Sequence, residues 1–76
     1  MTYQISIDNV RDIDKINKFA TECDFNVYVS DSLRMVDAKS ILGLMSVIKS
    51  KDLKLVFPDH VEAWKVDKAI KKLKMA

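Results

Sequence analysis

Hydrophobic and polar residues alternate with a period of two in four segments of the chain, which is typical of strands with one buried face. The segments are TYQISID (2–8), FNVYVSD (25–31), LRMV (33–36) and KDLKLVFP (51–58). The short connection Asp31-Ser32 between the second and third segments predicts a β-hairpin, and Pro58 ends the fourth segment. The residues expected to point inward are Tyr3, Ile5, Ile7, Phe25, Val27, Val29, Leu53, Leu55 and Phe57.

Apolar residues recur at spacings of three and four in two longer segments, and this period predicts amphipathic helices. We expect the first helix over about residues 10–23, where Asp8 and Asn9 offer capping side chains. We expect the last helix to follow Asp59 as its cap, with Glu62 three residues later completing a capping-box pattern. The expected core residues are Val10, Ile13, Ile16, Ala20 and Cys23 in the first helix, and Ala63, Val66, Ile70 and Leu73 in the last.

A short helix is expected over about residues 40–49, with Ser40 as its N-cap. It holds Gly43, which costs about 1 kcal/mol relative to Ala in a helix interior. The residues expected to face the sheet are Leu44, Val47 and Ile48, and those left on the other side are Ile41, Leu42 and Met45, hereafter the outer patch. Such an exposed patch on a small domain marks a partner-binding surface, unless a neighbouring loop or a second copy of the chain covers it.

The predicted element order is strand, helix, strand, strand, helix, strand, helix. Clean alternation in the strands leaves one face of the sheet to solvent and the other face to be covered. We therefore expect an α+β open-faced sandwich, in which three helices cover one face of a four-stranded sheet. Because 76 residues suit one domain, we expect a single domain over residues 1–76.

Composition and charge narrow the function classes. The formal net charge is +2, from 13 basic and 11 acidic residues, which is too balanced to make nucleic acid the expected partner. The single cysteine, Cys23, excludes an intramolecular disulfide and fits a reducing cytoplasm. No apolar run reaches the about 18 residues of a membrane span, and the first residues lack the pattern of a signal peptide. We expect a cytoplasmic protein that does not bind membranes.

Few side chains offer chemistry of their own. With one histidine, one cysteine and one glycine, the chain has neither a metal-ligand cluster nor a glycine-rich phosphate loop, so we expect no metal, no cofactor and no enzymatic activity. We interpret Cys23 as a buried thiol and His60 as a solvated residue in the first turn of the last helix, and we expect Trp64 to cover the rim of the sheet. The five lysines from Lys65 to Lys74 favour a solvated helix face, with a surface for phosphate or acidic groups as the alternative.

The segment DAKSILGLMSV (37–47) resembles the regulatory-serine segment of HPr, the small phosphocarrier of the bacterial sugar phosphotransferase system. The run from Lys39 to Ser46 carries the match, the element order also fits, and the register extends without a gap back to the first helix. The resemblance implies the HPr-like fold, with antiparallel strands in the order 1-4-2-3. It also implies partners among the proteins of that system.

The chain departs from the family at the site that carries the phosphoryl group. The family has Gly-x-His-Ala-Arg-Pro after the first strand, whereas this chain reads IDNVRD (7–12). Asn9 falls in the place of the histidine and Asp12 in that of the proline, and only Arg11 matches. An amide nitrogen is not a usable nucleophile, and three acids between residues 8 and 14 repel a phosphoryl group. The comparison therefore implies that histidine carrier activity is absent.

Ser40, by contrast, keeps the family pattern. In the family an ATP-dependent kinase phosphorylates this serine, and a phosphate there would lie at the positive end of a helix dipole. The combination resembles the catabolite-repression HPr paralogue, which lacks the histidine and keeps the serine. Family members usually have a glycine soon after the Met-Ser pair, where this chain has VIK (47–49). This difference at the end of the helix bears on kinase recognition.

Two functions follow from the resemblance. The first is a regulatory protein of the sugar phosphotransferase system that is not a histidine phosphocarrier, is switched by phosphorylation of Ser40 and binds partners through the outer patch, with Arg11 and Lys39. The alternative is an adaptor that is not phosphorylated and binds a partner through the same patch. The expected partners are proteins: a serine kinase, phosphotransferase-system enzymes or a transcriptional regulator. The chain is expected to be a monomer or a weak homodimer.

Overall fold

The computed structural model describes the backbone of residues 1–75 and the side chains of residues 1–73. Its elements follow the predicted order: β1 (Thr2–Ile5), α1 (Val10–Glu22), β2 (Tyr28–Ser30), β3 (Met35–Asp37), α2 (Ile41–Met45), β4 (Leu53–Val56) and α3 (Ala63–Met75). Within the described residues, no helix is long and apolar enough to cross a membrane.

The four strands form one antiparallel sheet in the order β1-β4-β2-β3. β1 pairs with β4, so that Thr2 lies opposite Val56 and Ile5 lies opposite Leu53. β2 pairs with β4 on one side and with β3 on the other. The strand order that the HPr resemblance implies is therefore confirmed, together with the α+β class.

The predicted hairpin joins β2 to β3, but β3 begins two residues later than its sequence pattern indicates. Asp31 turns the chain, because its Oδ1 accepts hydrogen bonds from the backbone N–H groups of Leu33 and Arg34, each at 2.8 Å. The Asp31 N–H donates to the carbonyl of Arg34 at 3.0 Å and closes the turn. Leu33 therefore belongs to the turn and is 86% exposed, and β3 starts at Met35.

The core lies between the sheet and the helices and is apolar throughout the described residues. The inward positions predicted from the strand pattern are confirmed: Ile7, Val27, Val29, Leu53, Leu55 and Phe57 are at most 1% exposed, and Tyr3, Ile5 and Phe25 are partly buried against them. The helices contribute Ile13, Ile16, Phe19, Ala20, Leu44, Val66 and Ile70, and the turn after α2 contributes Val47.

The buried side of α1 differs from the predicted one at its first residue. Val10 is 63% exposed, contrary to the prediction, whereas Phe19, which the predicted stripe omitted, is buried. Steps of three residues fall about 60° short of a full turn, so the buried stripe drifts from Ile13 through Ile16 to Phe19. Extending the same drift backwards carries Val10 out of the stripe. The mean spacing of the apolar residues therefore did not locate the centre of the buried face of α1.

The start of α3 also differs from the prediction, because the helix begins at Ala63 rather than after Asp59. The N–H of Val61 donates to the carbonyl of Pro58 at 3.1 Å, so the intervening residues form a turn. The carbonyl of Glu62 instead accepts the first bonds of the helix, from the N–H groups of residues 65 and 66. Ala63, predicted to lie in the core, is exposed, because it belongs to the first turn, which precedes the buried positions 66 and 70.

Candidate functional site

Ser40 is the N-cap of α2, as predicted. Its backbone is extended, with φ −97° and ψ 112°, and its Oγ accepts a hydrogen bond from the N–H of Gly43 at 3.1 Å. The carbonyl of Ser40 accepts from the N–H of Leu44 at 3.0 Å. The residue is exposed, so the hydroxyl caps the helix while it stays open to solvent.

The backbone that leads into Ser40 is held from two sides. Asn17 of α1 donates from Nδ2 to the carbonyl of Lys39 at 2.9 Å and to that of Ala38 at 3.3 Å. Ala38 is fully buried, and its N–H donates to the carbonyl of Val27 at 3.0 Å. α1 and the strand β2 region therefore fix the position of Ser40, although its side chain contacts solvent.

The outer patch is exposed as predicted. Ile41 is 49% exposed, Leu42 80% and Met45 51%, whereas Leu44 and Val47 are fully buried. The helix ends at Met45, not near residue 49 as predicted, and the segment from Ile41 to Val47 divides its apolar residues between the core and solvent. No loop within the described residues covers the patch.

Gly43 lies where the backbone of α2 approaches the sheet. A Cβ added at this position would lie 3.2 Å from the Cβ of Val36 in β3 and 3.4 Å from the Cβ and Oγ of Ser40. The first of these is shorter than an ordinary van der Waals contact between carbons. The glycine therefore accounts for the close packing of the helix on β3, a reason that the sequence did not supply.

The segment after α2 ends on a residue in the left-handed conformation. Lys49 has φ 61°, a region that favours glycine, and its N–H donates to the carbonyl of Ile7 at 2.6 Å. Ser46 Oγ donates to the carbonyl of Gly43 at 2.6 Å within the same segment. The segment therefore adopts a left-handed conformation that favours glycine, although a lysine occupies the position. The hydrogen bond from Lys49 to Ile7 holds the segment beside the residues that follow β1.

Asn9, in the place of the phosphocarrier histidine, is the N-cap of α1. Its Oδ1 accepts from the N–H of Asp12 at 3.0 Å, and Asp12 Oδ2 accepts in return from the N–H of Asp8 at 3.0 Å. Both side chains therefore satisfy backbone donors at the start of α1. Arg11 is exposed in the first turn of α1, and Lys39 is exposed just before Ser40, with its carbonyl accepting from Asn17.

His60 and Asn9 lie at opposite ends of the neighbouring strands β4 and β1. Asn9 follows the end of β1, where Ile5 pairs with Leu53, and His60 follows the end of β4, where Val56 pairs with Thr2. His60 is exposed in the turn before α3, not in the first turn of that helix as predicted. The fold therefore does not bring the single histidine to the region of Asn9 and Arg11.

Cys23 and the acidic residues offer no reactive centre within the described residues. The thiol of Cys23 is partly buried, and this burial raises its pKa, although the Lys39 ammonium opposes the effect. A raised pKa keeps the thiol protonated and unreactive at neutral pH. No group of three or more His, Cys, Asp or Glu residues in the described part of the chain could hold a metal ion.

The structure contains a groove of about 600 Å³ between α1 and α3, which the sequence pattern did not predict. Lysines of both helices line it, and Trp64, 59% exposed, lies along it rather than covering the rim of the sheet as predicted. The only sequence signal was the spacing of Lys65, Lys68 and Lys72, which places them near one another on α3. The second wall, with Lys15 and Lys18, becomes apparent only when α1 packs beside α3.

Comparisons with known proteins bear on the fold. No protein-family model and no curated protein matches this chain. Among solved structures, the chain is similar to the crystal structure of HPr-C-His from Thermoanaerobacter tengcongensis, with a TM-score of 0.70 and 22% sequence identity. The match covers 97% of this chain and 89% of that chain. The chain therefore has an HPr-like fold.

Proposed function

We propose that the chain acts in the cytoplasm as a single HPr-like regulatory domain over residues 1–76, related to the sugar phosphotransferase system and switched by phosphorylation of Ser40. Its partners are proteins that bind the outer patch, with Arg11 and Lys39 contributing charge. The observation that carries the proposal is the position of Ser40, whose exposed hydroxyl caps the helix that presents the outer patch.

Phosphorylation at Ser40 changes the charge beside the patch. A partner kinase transfers the γ-phosphoryl group of ATP, so that a bond forms between Ser40 Oγ and the γ-phosphorus while the bond from that phosphorus to the bridging oxygen breaks. The serine proton passes to a base of the kinase, and ADP leaves. The product carries about two negative charges at neutral pH. This charge weakens purely apolar partners and favours partners that present arginine.

In this proposal the chain is not a histidine phosphocarrier. The Asn9 amide is engaged as the cap of α1, and its nitrogen lone pair is delocalised into the carbonyl. His60 is exposed in a turn at the opposite end of the β1–β4 strand pair. We therefore expect the phosphoryl donor of the sugar phosphotransferase system to leave the chain unmodified, and phosphate on His60 would restore a transfer role.

The alternative is an adaptor that binds through the outer patch without phosphorylation. Two observations favour it. The patch is already exposed while Ser40 is unmodified, and Lys49 occupies the left-handed position at the end of the segment, so the surface that a kinase meets there carries a cation. In this function Ser40 is only a helix cap.

Incubation with an HPr serine kinase and ATP, read by intact mass, tests the switch. We expect one phosphate on the wild-type chain, none on Ser40→Ala, and one on the matched control Ser46→Ala, since Ser46 is an exposed serine of the same segment. Absence of phosphate on the wild-type chain, or phosphate that persists in Ser40→Ala, contradicts the switch.

Titration with proteins of the phosphotransferase system, followed by backbone amide shifts, tests the outer patch. We expect shifts over residues 40–48, and we expect Leu42→Glu to weaken binding by about tenfold or more, because a carboxylate at an apolar contact loses its hydration. Leu33→Glu is the control, since Leu33 is equally exposed but lies in the β2–β3 turn. Equal loss in both variants rejects the patch, and shifts without any kinase reaction favour the adaptor.

A further inference from the structure

The α1–α3 groove is distinct from Ser40 and the outer patch, and it combines an apolar floor with basic walls. Its apolar lining comprises Phe19, Phe25, Ala69 and Leu73. Its basic lining comprises Lys15 and Lys18 from α1 and Lys65, Lys68 and Lys72 from α3. A concave site of this size falls within the range of ligand-binding clefts.

The charge of the groove exceeds that of the rest of the molecule. Five lysines line it against two acids, Glu22 and Asp24, whereas the whole chain has a net charge of only +2. The salt bridges found in the described residues join Arg34 to Asp31 and the Met1 nitrogen to Asp59. The groove lysines thus have no ion-pair partner among the described residues. An acidic occupant would relieve the repulsion between them.

The lysines extend along the groove instead of clustering at one end. On α3 they stand at i, i+3 and i+7, and the lining from Trp64 to Leu73 spans about 14 Å at about 1.5 Å per residue. On α1 they stand at i and i+3. A nucleotide carries its charge at one end and needs one cluster of cations. Charge on both walls, on either side of an apolar floor, instead matches an occupant with an apolar strip flanked by acids along its length.

We propose that this groove is a docking site for an acidic amphipathic helix of a partner protein. An apolar stripe of that helix enters the floor, as in other helix-in-groove complexes, and glutamates or aspartates on its two flanks meet the lysine walls. A second copy of this chain is a poor occupant, since its exposed outer patch is preceded by Lys39 and is not flanked by acids. An anionic membrane is a poor occupant as well, because a flat surface does not reach a concave floor.

The probe is a synthetic peptide of about 14 residues with leucines at i, i+3, i+4 and i+7 and glutamates on both sides of this stripe. Trp64 is the single tryptophan of the chain, and it is 59% exposed at the groove with the Lys65 ammonium 5.8 Å from its ring. We expect a saturable blue shift of its fluorescence. We expect binding to weaken as added salt shortens the screening length from about 10 Å at 0.1 M to about 3 Å at 1 M.

Two control peptides and one nucleotide separate the alternatives. A peptide with lysines in place of the glutamates and a scrambled peptide of the same composition should leave the fluorescence of Trp64 unchanged. A response to the scrambled peptide as strong as to the helix overturns the role of the apolar stripe. Saturation by ATP at lower concentration than the peptide overturns the assignment of a helix, and salt-insensitive binding overturns the role of the lysines.

Charge reversals locate the site. We expect Lys68→Glu with Lys72→Glu to weaken peptide binding by about tenfold or more, and we expect Lys15→Glu with Lys18→Glu on the other wall to do the same. The matched control is Lys51→Glu with Lys54→Glu, which changes the net charge equally at exposed positions outside the groove. Equal weakening in the control and in the groove variants overturns the proposal. Kinase modification of Ser40 should be unaffected in all three variants, so the two proposals fail or stand separately.

Discussion

At the scale of single residues, Asn9 and Ser40 play the same structural part at the starts of α1 and α2. Each side-chain oxygen accepts a backbone N–H three residues later, at 3.0 Å for Asn9 and 3.1 Å for Ser40. Caps of this kind each contribute about 1 kcal/mol to stability. The two residues differ in chemistry, because an exposed hydroxyl remains able to accept a phosphoryl group and an amide does not.

Among the described residues, Lys49 and Asp52 are the non-glycine residues with a left-handed backbone conformation. A left-handed conformation costs a residue with a Cβ about 1–2 kcal/mol. Replacing this residue by glycine removes that cost, but the more flexible glycine loses about 0.5–1 kcal/mol more conformational entropy on folding. We therefore expect Lys49→Gly to raise the free energy of unfolding by about 0.5–1 kcal/mol, measured by chemical denaturation. Lys49→Ala is the control, since it removes the charge but keeps the Cβ, and an equal rise in this variant would contradict the backbone explanation.

At the scale of elements, the β2–β3 hairpin depends on the Asp31 carboxylate. Two backbone N–H groups donate to its Oδ1, and these bonds hold the pKa of Asp31 below its ordinary value. The guanidinium of Arg34 lies 3.8 Å from the other carboxylate oxygen and favours the charged form as well. The ionised carboxylate therefore fixes the turn that brings β3 beside β2.

This pKa gives the hairpin a pH dependence of known sign. Because the folded pKa is depressed, the stabilisation by Asp31 is present above the unfolded pKa, ordinarily 3.8, and is lost as the pH falls through the lower folded value. We expect Asp31→Asn to be less stable than the wild type at neutral pH, with the difference shrinking below about pH 4. Chemical denaturation across this range measures it. A constant difference for Asp31→Asn across this range would contradict the account.

At the scale of the whole molecule, Phe57 joins the sheet to α1. Its ring meets those of Tyr3 and Phe19 edge-on, with centroids 5.9 and 6.3 Å away, and that of Phe25 at 6.0 Å. These residues come from β1, α1 and the segment before β2, so contacts between distant parts of the chain meet at one ring. A domain of 76 residues buries a smaller fraction of its surface on folding than a larger domain does, so the loss of one such ring removes a large part of its stability.

We expect Phe57→Ala to lower the free energy of unfolding by about 3–5 kcal/mol, because it removes a buried ring and leaves a cavity. Trp64→Ala is the matched control, since it deletes a larger aromatic side chain that is 59% exposed, and it should cost less than Phe57→Ala because a smaller fraction of that side chain is buried. Thermal and chemical unfolding followed by circular dichroism measure both. A cost for Trp64→Ala that equals the cost for Phe57→Ala would contradict this account of the core.

The sequence by itself determined the elements and most of their inward faces. Alternation in the strands and spacings of three and four in the helices report burial directly, since a side chain in a strand or helix points to a side set by its position. Hence Val29, Leu55 and Val66 were placed in the core, and Ile41 and Leu42 outside it. The cap at Ser40 was also legible, because a capping bond joins residues three apart.

Only the tertiary structure decided what depends on residues distant in sequence. The close approach of Gly43 to Val36, the left-handed turn at Lys49 against Ile7 and the basic groove of α1 with α3 all require one element to be placed on another. Local periodicity carries no information about such contacts. The pairing of β1 with β4 also places Asn9 and His60 at opposite ends of these strands, because the C-terminal ends of antiparallel strands point in opposite directions.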